Sequence, residues 1–327
     1  MELVIETPGT HVSYQNGMIL LESDQRTDEI SILQIQSVHI LTNARISSQV
    51  LLQCAESGIP VYFETDLEVK AMLWTASYGS TAEIRKKQAL FAQSDLRWKL
   101  VKRLILRKIE NRFHWLAKIA ARRTRLPELI PQDKPWETDI LKIPDNPDAI
   151  RGFEGAYSKK FFEIYKRLLP EKFRFEKRTY RKTRHLTEML LNYAYGILYK
   201  EILKATVFAG LDPHIGFFHR AQYAKPSLTY DMIEPYRIWA EAAVFRTLRH
   251  PEIKKSDIDI FPVEQIPREI KKILITEMLE YLTRQKIRHN NLIRTPRTHI
   301  RLDMNRVASY LLNLETQKIL QNIPQIP

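Results

Sequence analysis

Val69-Lys-Ala-Met-Leu-Trp-Thr-Ala-Ser-Tyr-Gly-Ser80 is the stretch in which the periodicity of this chain changes. Its first half, up to Trp74, is a short apolar run of the kind found in strands, whereas residues 76–80 are small and polar. From Ile84 to Arg123, apolar residues recur every three or four positions with Lys and Arg between them, which predicts one long helix or two collinear helices. The change predicts a domain boundary, with a linker at residues 76–83.

The residues before this boundary are predicted to form short strands. Their apolar or β-branched runs are Val4-Ile5, His11–Tyr14, Met18–Leu21, Glu29–Leu33, Ser37–Leu41 and Val61–Phe63. The turn former Gln15-Asn16-Gly17 separates two of these runs. One helix is predicted to begin at Ser47 or Ser48 and to end before Gly58, a residue suited to the left-handed conformation that often follows a helix. Residues 1–75 therefore predict a small β-rich domain.

The residues after the boundary are predicted to be helical. Further helices are expected at about residues 149–169, 182–208, 228–250, 266–288 and 303–320. The segment from Pro127 to Pro147 is predicted to cross the surface without regular structure, because repeated prolines interrupt the hydrogen bonding of a helix. The predicted fold class is α+β and multidomain, with the small β-rich domain at 1–75 followed by a larger all-helical domain at 84–327.

Composition places the chain among folded soluble proteins. Hydrophobic residues make up 44% of the chain and charged residues 27%, a balance that excludes a disordered chain. No apolar run is long enough to span a bilayer, and the residues after Met1 do not resemble a signal peptide, so we expect a cytoplasmic protein without membrane attachment. Cys54 is the only cysteine, which excludes a disulfide framework and predicts a small buried side chain.

Charge is distributed unevenly between the two predicted domains. Residues 1–75 hold ten acidic and three basic side chains, a formal charge of −7. Because the whole chain carries +13, the remaining residues carry +20. A polyanion would be drawn to this second part, and the charge favours nucleic acid over the alternatives of a membrane surface or an acidic protein.

The first of three motifs that could carry chemistry is Arg151-Gly-Phe-Glu-Gly-Ala156, expected at the start of a helix. Two glycines in a first turn lower helix stability and are typical of a close approach by another backbone or a ligand. Glu154 lies between these glycines and is therefore a candidate functional carboxylate. The alternative is an ordinary acid that is stabilised by the helix dipole.

The second motif, Gly210-Leu-Asp-Pro-His-Ile-Gly-Phe-Phe-His219, follows a predicted helix end. Gly210 and Pro213 stop the preceding helix, so His214 and His219 lie on a turn-rich segment from which a side chain can face a cleft. A loop histidine is more often an ordinary surface residue than a ligand. His219 is the better candidate because it lies closer to the third motif.

The third motif is Ser227-Leu-Thr-Tyr-Asp-Met-Ile-Glu-Pro-Tyr-Arg237. Asp231 and Glu234 are three residues apart, which would place both carboxylates on one helix face, where they repel each other unless a cation or a proton lies between them. The alternative is a solvated acidic face. Basic residues nevertheless bracket the pair, and carboxylates that hold a metal beside cations that hold phosphates are the combination that phosphoryl chemistry needs.

A basic aromatic stretch from Phe173 to Arg184 adds candidate DNA contacts. Its cations could grip phosphates and its rings could stack on unpaired bases, although packing of Phe173 and Phe175 into the core would explain the rings equally well. With the basic residues of the third motif, the candidate DNA-binding set is Arg178, Arg181, Lys182, Arg184, Arg220, Lys225 and Arg237.

Together the three motifs resemble the CRISPR adaptation integrase family known as CRISPR-associated protein one. They occur in the family's order, and Ile46-Ser-Ser48 followed by Cys54-Ala-Glu-Ser-Gly-Ile-Pro-Val-Tyr-Phe63 is similar to the family's β-domain. The resemblance covers nearly the whole chain. It implies that residues 1–75 pair two subunits and that residues 84–327 form the catalytic DNA-binding domain.

The resemblance also implies a metal-dependent site. Family members bind Mg²⁺ or Mn²⁺ through positions held here by Glu154, His219 and Glu234, and Asp231 matches a further acid close to the metal. The implied enzyme is a DNA endonuclease and integrase, in which a DNA 3′-hydroxyl attacks a phosphodiester and short foreign segments, called spacers, enter the CRISPR array. The implied partners are DNA, as protospacer duplex and CRISPR repeat, a second copy of the chain, and a small ferredoxin-like adaptation protein.

One segment departs from the family pattern. Where many members have Asp-Pro, any residue and Asn, this chain has His185-Leu-Thr-Glu188. The difference affects supporting contacts or strand contacts rather than the three implied ligands. Two other interpretations stay open: a related transposon integrase or branched-DNA nuclease with the same chemistry, and a non-catalytic DNA-binding scaffold whose acids are structural.

Overall fold

The chain divides into two compact units, Met1–Ser80 and Thr81–Pro327. The computed structural model describes residues 1–24, 26–73, 81–121, 130–131, 133–176, 178–179, 183–220, 222–223, 225–255, 260–289 and 291–324. Within these ranges, no helix combines the length and the apolar character that a membrane crossing requires.

In its described residues, the first unit holds two four-stranded sheets and one α-helix. Its elements are β1 (Glu2–Ile5), β2 (His11–Gln15), β3 (Met18–Ser23), β4 (Arg26–Ser31), β5 (Ser37–Ile40), β6 (Arg45–Ile46), α1 (Ser48–Glu56), β7 (Val61–Glu64) and β8 (Val69–Leu73). One sheet has the strand order β1-β5-β7-β8 and the other β4-β3-β2-β6. The β-rich character predicted for this part of the chain is confirmed.

Local sequence explains the turns of the first unit. Asn16 and Gly17 have φ angles of 50° and 82°, and Gln15 pairs with Met18, so the predicted turn is the tight hairpin between β2 and β3. Gly58, at φ 66°, follows the end of α1 as predicted. Cys54 is buried in the core, and burial raises the pKa of its thiol to about 11, which confirms a small apolar role.

The second unit is predominantly helical. Its elements are α2 (Thr81–Gln93), α3 (Leu96–Ala120), α4 (Trp136–Lys142), α5 (Pro147–Leu168), α6 (Leu186–Phe208), α7 (Ser227–Met232), α8 (Arg237–Thr247), α9 (Pro251–Lys255), α10 (Arg268–Thr283), β9 (Ile287–His289), β10 (Leu292–Arg294), α11 (Pro296–Asn313) and α12 (Thr316–Gln321). The hydropathy pattern predicts an all-helical domain, but the second unit also contains an antiparallel hairpin formed by β9 and β10.

The helices differ from their predicted bounds in informative places. The region predicted as one or two collinear helices is two, because the chain turns at Ser94-Asp95 between α2 and α3. Since α2 begins at Thr81, the last three residues of the predicted linker are helical, while residues 76–80 lie outside the described ranges.

The proline-rich segment was expected to lack regular structure, and this expectation is wrong in its second half. Helix α4 forms between two prolines, Pro135 and Pro144, and buries Trp136. The indole of Trp136 stacks on Phe113 of α3, with ring centroids 4.8 Å apart. Hydrophobic packing therefore supports a short helix that the proline count alone argues against.

Candidate active site

A cleft of about 490 Å³ in the second unit brings the three candidate metal ligands together. Glu154 reaches it from α5, His219 from the loop after α6, and Glu234 from a 3₁₀ turn at Glu234–Tyr236 that joins α7 to α8. These residues come from three separate segments of the chain, so their convergence is a product of the fold. Further side chains with hydrogen-bonding or charged groups line the cleft: Lys108, Arg112, Arg151, Ser158, Asn192, Tyr195, Tyr199 and Arg237.

Glu154 lies in the second turn of α5, not the first. The helix begins at Pro147, where the side chain of Asn146 accepts a hydrogen bond of 2.8 Å from the Ala149 amide. No other backbone approaches the flanking glycines, because a Cβ added at Gly152 or Gly155 would meet no atom within 4 Å, so the predicted approach of a ligand is the alternative that stays a prediction.

Lys108 of α3 joins the two glutamates. Its Nζ donates to Glu154 Oε1 and lies 2.5 Å from Glu234 Oε2. The side chain is only 6% exposed. We did not predict this residue, although the sequence holds a signal for it: Lys108 occupies the apolar stripe of α3, beside Ile105 and Ile109. A lysine in such a stripe is rare without a partner.

Both glutamates are held as carboxylates. Burial alone would raise the pKa of Glu234, but Arg237 and then Lys108 outweigh it and lower that pKa well below its usual range. Burial also acts to raise the pKa of Glu154. The charge of Lys108 and the hydrogen bonds from Lys108 and Ser158 outweigh burial, so the pKa is lowered. The cleft therefore presents two negative charges close together.

Glu234 divides its two oxygens between different neighbours. Oε1 accepts from Nε of Arg237 at 2.9 Å and lies 2.8 Å from its Nη2. Oε2 is buried beside Lys108 Nζ, in a geometry that makes no hydrogen bond. A ligand could bind this second oxygen only if Lys108 Nζ moved away from it.

His219 is oriented by Asp231. Nδ1 of His219 lies 2.6 Å from Asp231 Oδ1. A neutral imidazole that donates from Nδ1 keeps an unprotonated Nε2, which is the nitrogen that can bind a metal or accept a proton. The pairing of a buried carboxylate with the remote ring nitrogen is the usual way in which proteins fix the tautomer of a metal-binding histidine.

Asp231 faces the loop that carries His219 and does not line the cleft with Glu234. Its carboxylate is buried and accepts hydrogen bonds from the amides of Phe217, Phe218 and His219, at 2.5, 2.9 and 3.0 Å. Helix α7 ends at Met232 and Glu234 begins a 3₁₀ turn, and of the two acids only Glu234 lines the cleft. Asp231 is thus a positioning residue for His219 rather than a cleft-lining acid.

A buried network of hydrogen bonds holds the Glu154 side chain in place. Ser158 Oγ donates to Glu154 Oε1 at 2.6 Å and accepts from Arg112 Nη1 at 2.7 Å. Arg112 is buried against Glu241, whose Oε1 also accepts from Tyr195 at 2.6 Å. Sequence reasoning could not predict these contacts, because Arg112 and Glu241 are 129 residues apart.

The candidate DNA-binding residues fall into different environments. Arg220 and Lys225 are exposed on the loop beside His219, and Arg184 is exposed with Glu264 as a partner. Arg237 lies in the cleft wall, paired with Glu234. Arg181 and Lys182 lie outside the described residues.

Arg178 and the nearby rings do not form the surface that the sequence predicts. The Arg178 side chain is 5% exposed and donates to Glu188 at 3.3 Å and to Asn192 at 2.6 Å. Phe173 and Phe175 are buried in the core, so the alternative of core packing is correct for both rings. His214 is also exposed and does not line the cleft.

The donors fit a hard divalent cation. Two ionised carboxylates and one imidazole nitrogen are ligand types that Mg²⁺ and Mn²⁺ accept, and the buried Oε2 of Glu234 has no hydrogen bond. Lys108 supplies a positive charge between the carboxylates, where a cation would also be attracted. As the side chains stand, no three His, Cys, Asp or Glu residues of the described ranges are grouped closely enough to hold a metal.

Solved structures share this fold. A casposase bound to integration product superposes with a TM-score of 0.69 at 19% identity, covering 99% of both chains. A Cas1 protein from Thermotoga maritima gives 0.72 at 17% identity, covering 96% of this chain and 98% of that one. A chain of a partial Cas6-RT-Cas1–Cas2 complex gives 0.72 at 18% identity, covering 99% and 98%. These likenesses confirm the predicted fold class.

Curated relatives carry names that agree with the sequence prediction. CRISPR-associated endonuclease Cas1 3 of Thermus thermophilus is 29% identical over 234 residues, covering 70% of this chain and 67% of the relative. CRISPR-associated endonuclease Cas1 1 of Archaeoglobus fulgidus is 28% identical over 306 residues, covering 86% and 88%. These names support the predicted endonuclease class. Since residues 3–267 also match the profile described as CRISPR associated protein Cas1, the chain belongs to the Cas1 family.

Proposed function

We propose that this protein is a metal-dependent DNA endonuclease and integrase that inserts short foreign DNA segments into a CRISPR array. The observation that carries the proposal is the convergence of Glu154, His219 and Glu234 on one cleft, within a unit of strong positive charge. The cleft walls also hold Arg151 and Arg237, which would attract the oxygens of a phosphodiester.

Each residue of the cleft has a task in this proposal. Glu154, Glu234 and Nε2 of His219 would hold Mg²⁺ or Mn²⁺, which would polarise the phosphate and lower the pKa of the attacking 3′-hydroxyl or water. Asp231 would keep His219 oriented, and Ser158 would keep Glu154 oriented. Because one donor is an imidazole, Mn²⁺ should suit the site at least as well as Mg²⁺. The same Nε2 atom could instead accept a proton from the nucleophile.

The partners that we propose are DNA, a Cas2-type adaptation protein and a second copy of this chain. A casposase of this fold has been solved with an integration product, and another chain of this fold belongs to a complex with Cas2. The first unit exposes large apolar side chains that a second copy could cover, among them Val4 (48% exposed), Leu33 (94%) and Leu52 (56%). We place the protein in the cytoplasm, with the DNA on which it acts.

Strand transfer from a labelled duplex into a supercoiled plasmid with a CRISPR array tests the proposal. We expect product with MnCl₂ or MgCl₂ and none in EDTA. Glu154→Ala, His219→Ala and Glu234→Ala should each abolish transfer while the protein remains folded. Glu163→Gln, which changes a half-buried carboxylate on α5, is the matched control and should keep wild-type activity.

Two outcomes would contradict the proposal. Full transfer by any two of the three alanine variants would show that the cleft does not carry the chemistry. DNA binding without cleavage or transfer, under any metal, would favour the scaffold interpretation instead.

A further inference from the structure

Lys108 has no task in the proposed chemistry, yet it lies at the centre of the cleft. Its ammonium contacts Glu154 and Glu234 from the buried face of α3. Both glutamates are also fixed by other neighbours, Ser158 for one and Arg237 for the other. Removing the ammonium would therefore leave two carboxylates facing the same space, each still held in position.

The ammonium occupies the position at which a divalent cation would be most strongly attracted by the two carboxylates. A cation is attracted most strongly where two ionised carboxylates converge, and a second positive charge in the same buried space would be repelled. The ammonium and the metal therefore exclude each other from this position. For a metal to bind Glu154 and Glu234 together, Lys108 Nζ must move.

Lys108 is better suited to movement than the neighbouring cation. Arg237 is tied to Glu234 through two nitrogens, donates to Tyr199 at 3.1 Å, and lies over the ring of Tyr195. Lysine carries a compact charge on a flexible four-carbon stem and makes fewer directional contacts than a guanidinium. A displaced ammonium within this cleft needs a new anion, and a DNA phosphate that enters beside Arg151 and Arg237 would supply one.

We propose that Lys108 competes with the divalent cation for Glu154 and Glu234, and that a DNA phosphate takes over its ammonium when the cation binds. Metal and DNA would then bind cooperatively, and the cleft would hold its metal weakly until DNA is present. By linkage, DNA must tighten metal binding by the same factor by which metal tightens DNA binding. This inference rests on the proposed function, because it concerns the same metal and the same DNA.

The test measures Mn²⁺ affinity rather than activity. Free Mn²⁺ is followed by electron paramagnetic resonance in titrations of wild type and Lys108→Met, with and without a DNA duplex that lacks a 3′-hydroxyl. We expect Lys108→Met to bind Mn²⁺ at least about tenfold more tightly than wild type without DNA. DNA should tighten binding about tenfold in wild type and little in the variant. Lys99→Met, the same change at an exposed site on α3, should behave as wild type.

Two further variants keep the test decisive if Lys108→Met is unstable without metal. Lys108→Gln removes the charge but keeps a polar group, and it should also bind Mn²⁺ tightly. Lys108→Arg keeps the charge and should bind as weakly as wild type. In thermal unfolding, MnCl₂ should raise the melting temperature of Lys108→Met by more than that of wild type.

The results separate this inference from the proposed function. Equal Mn²⁺ affinity in wild type, Lys108→Met and Lys108→Gln would overturn the competition and leave the metal-dependent enzyme in place. An absence of Mn²⁺ binding in every variant, with and without DNA, would overturn both. We expect tight Mn²⁺ binding by the uncharged variants with or without DNA, and weak binding by wild type that becomes tight when DNA is added.

Discussion

Gly216 affects the position of His219 because the surrounding atoms leave no room for a side chain at this residue. A Cβ at this residue would lie 2.8 Å from Ser227 Cβ, 3.0 Å from Asp231 Oδ2 and 3.0 Å from the His219 carbonyl oxygen. Real Cβ atoms essentially never show the 2.8 Å contact, and the two contacts at 3.0 Å are also tight, so any side chain would push the loop away from the buried carboxylate. The loop amides that bond to Asp231 would then lose their alignment.

We predict that Gly216→Ala lowers strand transfer at least about tenfold, because the hydrogen bonds that orient His219 would lengthen. It should also lower the free energy of unfolding by about 1–3 kcal/mol, the usual effect of overpacking. The matched control is Gly155→Ala, where the added methyl meets open space inside a helix and should raise stability by about 0.5–1 kcal/mol. Urea unfolding and the strand-transfer assay check both variants. Wild-type activity in Gly216→Ala would show that this contact does not position His219.

At the scale of elements, Glu188 fastens a loop to the start of α6. Its carboxylate accepts from Thr179 Oγ1 at 2.6 Å, from Thr183 Oγ1 at 2.8 Å and from Arg178, and the Thr179 amide also donates to it. This is the segment that departs from the family pattern. Glu188 thereby supports one wall of the candidate cleft, since Arg178 also donates to Asn192 in the cleft lining.

The carboxylate of Glu188 should make stability depend on pH. Burial acts to raise its pKa, but the hydrogen bonds from Thr179, Thr183 and Arg178 leave it lowered from the usual 4.5. A lowered folded-state pKa means that the unfolded chain takes up protons first as pH falls. The stability that Glu188 contributes is therefore complete above about pH 4.5 and is lost as pH falls through the folded-state pKa.

We predict that Glu188→Gln is less stable than wild type near neutral pH and that the difference shrinks below the unfolded-state pKa. Urea unfolding at a series of pH values measures this difference. Glu176→Gln, which changes an exposed carboxylate in the same loop, should show no such pH-dependent loss. A difference between Glu188→Gln and wild type that stays constant down to the acid limit would contradict the prediction.

The sequence predicts correctly those elements whose signal comes from residues close together in the chain. The turn at Asn16-Gly17 and the apolar stripe of α3 follow from residues adjacent or one helical turn apart. It missed contacts that exist only after folding, such as Lys108 between two glutamates 46 and 126 positions away in the chain. Sequence reasoning also assumed one regular helix from Asp231 through Glu234, whereas α7 ends at Met232 and Glu234 begins a 3₁₀ turn. Local patterns carry no information on these long-range pairings.

At the scale of the whole molecule, the two units have opposite charge. Residues 76–80 carry no charged side chain, so Met1–Ser80 has a formal charge of −7 and Thr81–Pro327 has +20. The first unit also has its own core of buried residues, centred on Val12, Ile19, Val38 and Val61. A polyanion should therefore interact with the second unit, while the first unit is free of that attraction and can serve contacts between proteins.

We predict that DNA affinity falls steeply with salt and depends on the second unit. Each phosphate neutralised by a basic side chain contributes about −0.9 to the slope of log affinity against log salt, so six contacts would weaken binding about a thousandfold between about 50 and 200 mM salt. The double change Arg220→Gln and Lys225→Gln, at exposed positions beside His219, should reduce the slope by about two. The same double change at Arg26 and Arg45, exposed residues of the first unit, is the matched control and should leave the slope unaltered. Fluorescence anisotropy with a labelled duplex gives both slopes, with EDTA present so that metal does not contribute. If the two double changes reduced the slope equally, DNA binding would depend on basic residues of both units. The assignment of DNA binding to the second unit would then be wrong.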